Sequence, residues 1–154
     1  MDESVQYVMQ NKIYLAVKYM QNKPRHKLFE YATAIEHGGV VWEDLHSSIK
    51  DAHEWFHYDT GIDVYDRLTD TSMQCKYYTS ATRIAWDDIA KFLATSFLFP
   101  IQVSRGLLVS NENTDVTKVL MKRYEHITMS EERFNSIIQD AISTYESFLA
   151  FKKG

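Results

Sequence analysis

GIDVYDRLTDTSMQCKYY, residues 61–78, is the stretch that decides the fold, because it has the pattern of a β-hairpin. Apolar residues occur on both sides of a polar segment at 68–71 that is rich in turn-forming residues. The first predicted strand contains Ile62, Val64 and Tyr65. The second contains Met73, Cys75, Tyr77 and Tyr78.

The polar residues of this hairpin predict a place where chemistry can occur. Side chains two residues apart on a strand share a face, so Gln74 and Lys76 project together. If Asp63 on the neighbouring strand points the same way, a carboxylate, an amide oxygen and an ammonium converge. Such a trio can hold a divalent cation and polarise a phosphodiester. The structural alternative is a hairpin with a solvated polar face.

Apolar residues at helical spacing predict helices on both sides of the hairpin. Before it, we expect helices at 4–22, 27–37 and 40–56; after it, we expect helices at 84–99, 115–123 and 130–152. Short apolar runs predict a buried strand at 105–110 and a last strand at 125–129. A buried strand that follows a crossover helix indicates an α/β fold, in which a mixed central sheet is flanked by helices.

Composition limits the classes of protein that the chain can represent. A length of 154 residues with 45% hydrophobic residues predicts one folded domain over 1–154. The net charge of −4 gives no overall basic field, which argues against a nucleic-acid partner without excluding one. Cys75 is the single cysteine, which excludes an intrachain disulfide and suits a reducing compartment. The N-terminus has no signal-peptide pattern and no apolar run is long enough for a bilayer, so we expect a cytoplasmic protein without a membrane partner.

Five pieces of the sequence, taken in order, resemble the Mrr-like restriction endonucleases, a branch of the metal-dependent PD-(D/E)xK nuclease superfamily. Two pieces are on the hairpin: Gly61-Ile62-Asp63 and Gln74-Cys75-Lys76. The other three lie around it: Leu28-Phe29-Glu30, Trp86-Asp87 and Gly106-Leu107-Leu108-Val109-Ser110-Asn111. The resemblance covers a core at 27–128, to which the N-terminal and C-terminal helices are additions. It implies a restriction-endonuclease-like fold and a metal-dependent DNA endonuclease.

The resemblance also implies roles for individual residues. Asp63 matches the metal-binding acid, Glu30 matches the acid on the upstream helix, and Lys76 matches the lysine that stabilises charge at the scissile phosphate. Gln74 stands where many relatives have Asp or Glu, and a neutral amide is a weaker ligand for Mg²⁺ or Mn²⁺. The backbone carbonyl of Cys75 is a further metal ligand in this interpretation. No proline precedes Asp63, which departs from the superfamily motif.

DNA is the partner that the resemblance implies. The candidates for contacts with its backbone are four basic residues: Arg67, Arg83, Arg105 and Lys118. Similar domains are fused to large helicases of viruses and plasmids, so we expect a helicase domain in the same polypeptide, and a homodimer would account for cleavage of both strands. Because Gln74 replaces an acid, a degenerate nuclease that only binds DNA or a partner is a second hypothesis.

A third hypothesis comes from His53-Glu54-Trp55-Phe56-His57, which fits the pattern H-E-x-x-H. On a helix, two histidines four residues apart can bind zinc while the glutamate acts as general base of a metalloprotease. The pattern fixes only three residues and gives the strand around Lys76 no role. The structural alternative is a solvent-side histidine pair on an amphipathic helix.

Overall fold

The computed structural model describes residues 3–55, 60–78, 83–84, 86–109, 115–116 and 125–153. The helices within these ranges are α1 (Glu3–Met20), α2 (Arg25–His37), a short 3-10 helix (Trp42–Asp44), α3 (Ser47–Ala52), α4 (Trp86–Leu98) and α5 (Glu131–Lys153). The strands are β1 (Val40–Val41), β2 (Val64–Asp66), β3 (Thr71–Tyr77), β4 (Arg83–Ile84), β5 (Val103–Val109), β6 (Asp115–Val116) and β7 (Glu125–Met129).

A five-stranded mixed sheet is at the centre of the fold, in the order β1-β2-β3-β5-β7. Strands β1, β2 and β3 are antiparallel neighbours, whereas β3, β5 and β7 run parallel to one another. Parallel neighbours need a crossover connection, and α4 lies in the connection from β3 to β5. Strands β4 and β6 form a separate parallel pair. The predicted α/β class, the mixed central sheet and the hairpin are confirmed.

Helices flank the sheet, and two apolar cores form around it. The first core joins α1, α2 and α5 to the sheet and includes Val17, Phe29, Val64, Met73 and Phe134. The second core includes α4 and contains Trp42, Trp55, Tyr65, Ile89, Phe92 and Phe99. Successive side chains along β3 alternate between the side of the sheet that faces the first core and the side that faces α4. Met73, Cys75 and Tyr77 pack with the first core, whereas Ser72 bonds to Ser96 of α4 at 2.8 Å.

The turn between β2 and β3 is held by hydrogen bonds that the Asp66 and Asp70 carboxylates accept. Asp66 accepts hydrogen bonds from the Leu68 amide at 3.0 Å and from the Thr69 hydroxyl at 2.9 Å. Asp70 accepts from the Tyr65 hydroxyl at 2.5 Å. These are the bonds by which Asp stabilises turns. They fix the register of the hairpin, and with it the meeting of Asp63 and Cys75 at the opposite end.

One of the predicted helices is wrong, and a second does not begin as a helix. In place of the predicted helix at 40–56, the described residues 40–55 form β1, the 3-10 helix and α3, because Val40 and Val41 pair with Tyr65 and Val64 at the sheet edge. The predicted helix at 115–123 begins in a strand, since Asp115 and Val116 pair with β4, and its remaining residues lie outside the described ranges. The other predicted helices and strands are confirmed as α1, α2, α4, α5, β5 and β7. None of the helices in the described ranges is long and apolar enough to cross a bilayer.

Candidate active site

Asp63 lies immediately before β2, and hydrogen bonds fix its backbone on two sides. Its amide donates to the Met73 carbonyl at 2.9 Å, and its carbonyl accepts from the Trp42 amide at 2.9 Å. Val64 is also paired with Met73. Two consecutive residues therefore lie opposite one, which is the arrangement of a β-bulge. The bulge interrupts the alternation of side chains and turns Asp63 toward α2.

The loop that leads to Asp63 is fixed against α4. Gly61 has φ of 75°, a conformation that L side chains rarely adopt. A Cβ at this position would lie 2.9 Å from the backbone nitrogen of Phe92 in α4. The next amide, that of Ile62, donates to the buried Thr60 hydroxyl at 3.0 Å. The approach to the site is therefore set by close packing.

The Asp63 carboxyl contacts two elements at once. Its Oδ2 accepts a hydrogen bond from the Cys75 amide of β3 at 2.8 Å. Its other charged neighbour is the Glu30 carboxyl of α2, which raises the pKa of Asp63. The structure thus brings together the two acids that the resemblance assigns to one site.

Burial is the main reason why the pKa of Asp63 is raised, to about 8. The negative charge of Glu30 raises this pKa further. The Cys75 amide and the Lys76 ammonium favour the ionised form and act in the opposite direction. Two buried carboxyls in contact repel each other when both are ionised, so the pair binds a proton or another cation.

Gln74 and Lys76 share one face of β3, as the sequence predicts, and it is the face opposite that of Cys75. Gln74 is buried, with 6% of its surface exposed. Lys76 is partly exposed, and its ammonium lies close enough to Asp63 to affect the pKa of that carboxyl. The predicted trio therefore lies at one level of the hairpin. The Asp63 carboxyl bonds to the Cys75 amide in the plane of the sheet, between Glu30 on one side and the Gln74 and Lys76 side chains on the other.

The Cys75 thiol lies on the α2 side of the sheet, where it packs against the first core. Burial, together with the charges of Asp63 and Glu30, raises the pKa of this thiol well above its usual value. At neutral pH the thiol is therefore protonated, so the oxygen and amide atoms of Cys75, and not its sulfur, are the groups that the site can use.

The four basic residues predicted to contact DNA lie in different places. Arg67 is exposed in the turn between β2 and β3, about 13 Å from Asp63 if each strand residue advances about 3.3 Å. The fold therefore does not bring Arg67 to the carboxyl pair. Arg83 lies in β4, and Arg105 lies in β5 in register with Met73. Lys118 lies outside the described residues.

The described residues of the H-E-x-x-H pattern, 53–55, do not lie on a helix, because α3 ends at Ala52. His53 is the C-cap residue of α3, and its ring stacks on Trp55 with the ring centroids 4.5 Å apart. Glu54 has φ of 58°, in the left-handed region that right-handed helices exclude. His57 lies outside the described residues. The predicted helix is therefore wrong over residues 53–55, the part of the pattern that the structure describes.

A group of charged residues around Glu30 was missed by reasoning from the sequence. The Lys27 ammonium lies 2.7 Å from the Glu30 carboxylate and 2.7 Å from the Glu43 carboxylate. The Tyr31 hydroxyl donates to Asp44 at 2.7 Å. The spacing of Lys27 and Glu30, three residues apart on a helix, is a signal for the first contact. Only the tertiary fold brings the 3-10 helix to α2.

The donor atoms of the carboxyl pair suit a hard divalent cation. Carboxylate oxygens are the protein ligands that Mg²⁺ prefers. Over the described part of the chain, no group of three or more His, Cys, Asp or Glu side chains is arranged to hold a metal ion. A cation bound at this place would therefore have Asp63 and Glu30 as its charged ligands.

Comparison with known proteins supplies an independent finding. The family model described as restriction endonuclease matches residues 30–145 of the chain. The matched range begins at Glu30 and includes the hairpin, β5 and β7. No curated protein and no solved structure is a significant match to the chain.

Proposed function

The chain belongs to the restriction endonuclease family, and we propose that it is a metal-dependent deoxyribonuclease that hydrolyses phosphodiester bonds with a metal-activated water. Family membership supports a nuclease, with DNA as its substrate. The single observation that carries the finer proposal is the contact between the buried carboxyls of Asp63 and Glu30. Lys27 lies 2.7 Å from Glu30 and offsets part of the negative charge of the pair, and the two carboxyl groups together provide oxygen ligands for a divalent cation.

Restriction-endonuclease-like domains generally use divalent metal ions, and here we propose Mg²⁺ or Mn²⁺. Asp63 and Glu30 would hold the ion, and the Gln74 side-chain oxygen and the Cys75 carbonyl would be its neutral ligands. A bound ion of this kind lowers the pKa of a coordinated water and polarises the phosphate. Lys76 would stabilise the negative charge that develops on the phosphate.

We further propose that this domain works beside a helicase domain in the same polypeptide, in viral or plasmid DNA replication. Affinity for DNA depends on neutralising its phosphates with basic residues. Because the chain has a net charge of −4, a helicase domain that supplies much of the DNA affinity would be consistent with this composition. Arg67, Arg83, Arg105 and Lys118 remain the candidates for contacts with the DNA backbone. A homodimer would explain cleavage of both strands. We also propose a cytoplasmic location, because the single cysteine, Cys75, suits a reducing compartment.

The test is a cleavage assay on supercoiled plasmid and on single-stranded DNA, with Mg²⁺, Mn²⁺, Zn²⁺ or EDTA. We expect nicking with Mg²⁺ or Mn²⁺ that is lost in Asp63→Ala and Lys76→Ala proteins. Asp140→Ala and Lys12→Ala are matched controls, because both residues are exposed on helices away from the site. Cleavage that survives both Asp63→Ala and Lys76→Ala would contradict the proposed residues.

A second candidate function is a DNA-binding module without catalysis. It is favoured by the neutral Gln74, which stands where the motif has an acid, and by the presence of only two charged ligands at the described site. Folded protein that binds DNA but cleaves it with none of the metals would support this candidate. Filter binding on the same plasmid and single-stranded DNA, with and without Mg²⁺, separates the two functions.

A further inference from the structure

Lys27 makes two ion pairs at the edge of the carboxyl site. Its Nζ lies 2.7 Å from Oε2 of Glu30 and 2.7 Å from Oε1 of Glu43. The side chains of Lys27 and Glu30 are only 19% and 14% exposed, whereas that of Glu43 is 69% exposed. The pair of Lys27 with Glu30 is therefore more shielded from solvent than an ordinary surface pair three residues apart on a helix.

These ion pairs are part of a closed path of contacts that returns to Asp63. From Glu43 the path continues along the 3-10 helix to Trp42, whose amide donates to the Asp63 carbonyl. From Lys27 it continues to Glu30, whose carboxyl contacts that of Asp63. Both acids of the pair are thus attached to the same small network, one through its backbone and the other through its side chain.

A second contact strengthens the attachment of the 3-10 helix to α2. Tyr31 lies one helical turn after Lys27, and its hydroxyl donates to Oδ2 of Asp44 at 2.7 Å. The 3-10 helix is therefore joined to α2 at two points, Lys27–Glu43 and Tyr31–Asp44. Two attachment points one turn apart fix both the distance and the rotation of the segment that holds the Asp63 backbone.

We propose that Lys27 is a positioning residue for cation binding, which holds the Glu30 carboxylate beside Asp63 through its bridge to Glu43. The inference rests on the proposed function of the site and adds a residue that precedes the matched range of the family. A glutamate free to rotate must be ordered when the cation binds, whereas one already fixed by an ion pair avoids that loss. Glu43 offsets the charge of Lys27, and so reduces the repulsion between the ammonium and the cation.

The test is a titration of the whole chain with Mn²⁺, without DNA, in which free Mn²⁺ is measured by electron paramagnetic resonance. Partners that orient metal ligands typically contribute about 10–100-fold in metal affinity. We expect a loss of that size in Lys27→Met, a smaller loss in Glu43→Gln and partial or full rescue in Lys27→Arg. Lys23→Met is the matched control, because Lys23 is an exposed lysine just before the same helix.

Unchanged or tighter Mn²⁺ binding by folded Lys27→Met protein would overturn the proposal. If this variant does not fold, Glu43→Gln decides, because Glu43 is exposed and its change leaves Lys27 in place; unchanged Mn²⁺ affinity in Glu43→Gln would then overturn the proposal. The two levels of inference fail differently. A wild-type chain that binds no Mn²⁺ contradicts the metal-dependent function itself, whereas a wild-type chain that binds Mn²⁺ as tightly as Lys27→Met contradicts only the role of Lys27.

Discussion

The Cys75 amide donates a 2.8 Å hydrogen bond to Oδ2 of Asp63, so one carboxyl belongs to both the sheet and the site. In a regular antiparallel ladder such an amide pairs with a backbone carbonyl of the neighbouring strand. The bulge at Asp63 and Val64 ends this pairing, so the Cys75 amide bonds to the Asp63 carboxyl instead of to a backbone carbonyl. The position of its carboxyl is therefore set by β3 as well as by its own chain segment.

Stability should fall as the pH rises, and Asp63 should be the cause. Its pKa is raised from 3.8 to about 8 in the folded protein. Between these values the folded chain keeps a proton that the unfolded chain releases, so the stabilisation is complete below about pH 4 and lost as the pH rises through about 8. Urea unfolding in EDTA should show a decrease of a few kcal/mol over this range.

Asp63→Asn should remove most of this pH dependence. The asparagine oxygen can still accept from the Cys75 amide, but the side chain has no charge at any of these pH values. Asp140→Asn serves as the control, since Asp140 is exposed on α5 and its loss should leave the profile of the wild-type protein unchanged. Parallel profiles for wild type and Asp63→Asn would mean that burial of Asp63 does not control stability.

Lys76→Met should separate catalysis from metal binding. Loss of a group that stabilises charge in the transition state costs on the order of 100-fold or more in rate. Metal affinity should stay the same or increase, because the Lys76 ammonium and a cation repel each other beside Asp63. Initial rates of plasmid nicking and Mn²⁺ titration measure the two effects, with Lys12→Met as control. Equal losses of cleavage and of Mn²⁺ binding would assign Lys76 to the metal site instead.

The hairpin could be predicted from the sequence because its signals are local: alternation, a turn rich in Asp and Thr, and flanking apolar residues. The segment at 40–56 could not, since Trp42, Leu45 and Ile49 have helical spacing while Val40 and Val41 gain more by pairing with β2. Pairing with a neighbouring strand can override a helical pattern, and here it does so although the strand is only two residues long. The same competition explains the strand at Asp115 and Val116, which pairs with β4.

The site was predictable in part. The resemblance to a family places Glu30 and Asp63 in one site, and the packing of α2 on the sheet brings the two carboxyls into contact. The bulge that turns Asp63 toward α2 depends on pairing with Met73 and has no signature in local composition. The bridge from Lys27 to Glu43 depends on where the 3-10 helix lies, which no periodicity of the sequence indicates.

Gln74→Glu should make the chain more dependent on a divalent cation. Gln74 is buried at 6% exposure, and a third carboxylate in this region adds repulsion to the metal-free site. In EDTA the Tm should fall, whereas Mn²⁺ should bind about 10-fold more tightly because an anionic ligand replaces a neutral one. The difference in Tm between Mn²⁺ and EDTA therefore becomes larger than in wild type. Gln139→Glu is the surface control. If Gln74→Glu leaves the difference in Tm between Mn²⁺ and EDTA unchanged, Gln74 does not face the cation.

Glu54→Gly should stabilise the protein, contrary to what a helical H-E-x-x-H pattern predicts. Glu54 is exposed and has φ of 58°, a conformation that costs an L-residue about 1–2 kcal/mol and a glycine almost nothing. Part of that gain is lost because glycine makes the unfolded chain more flexible, so the expected net increase in unfolding free energy is about 0.5–1 kcal/mol. Gln139→Gly, at an exposed position inside α5, should instead destabilise by about 0.5–1 kcal/mol. Urea unfolding of both variants measures whether each substitution raises or lowers the free energy of unfolding. A destabilised Glu54→Gly protein would show that residues 53–57 continue α3, and would restore the histidine pair as a candidate zinc site.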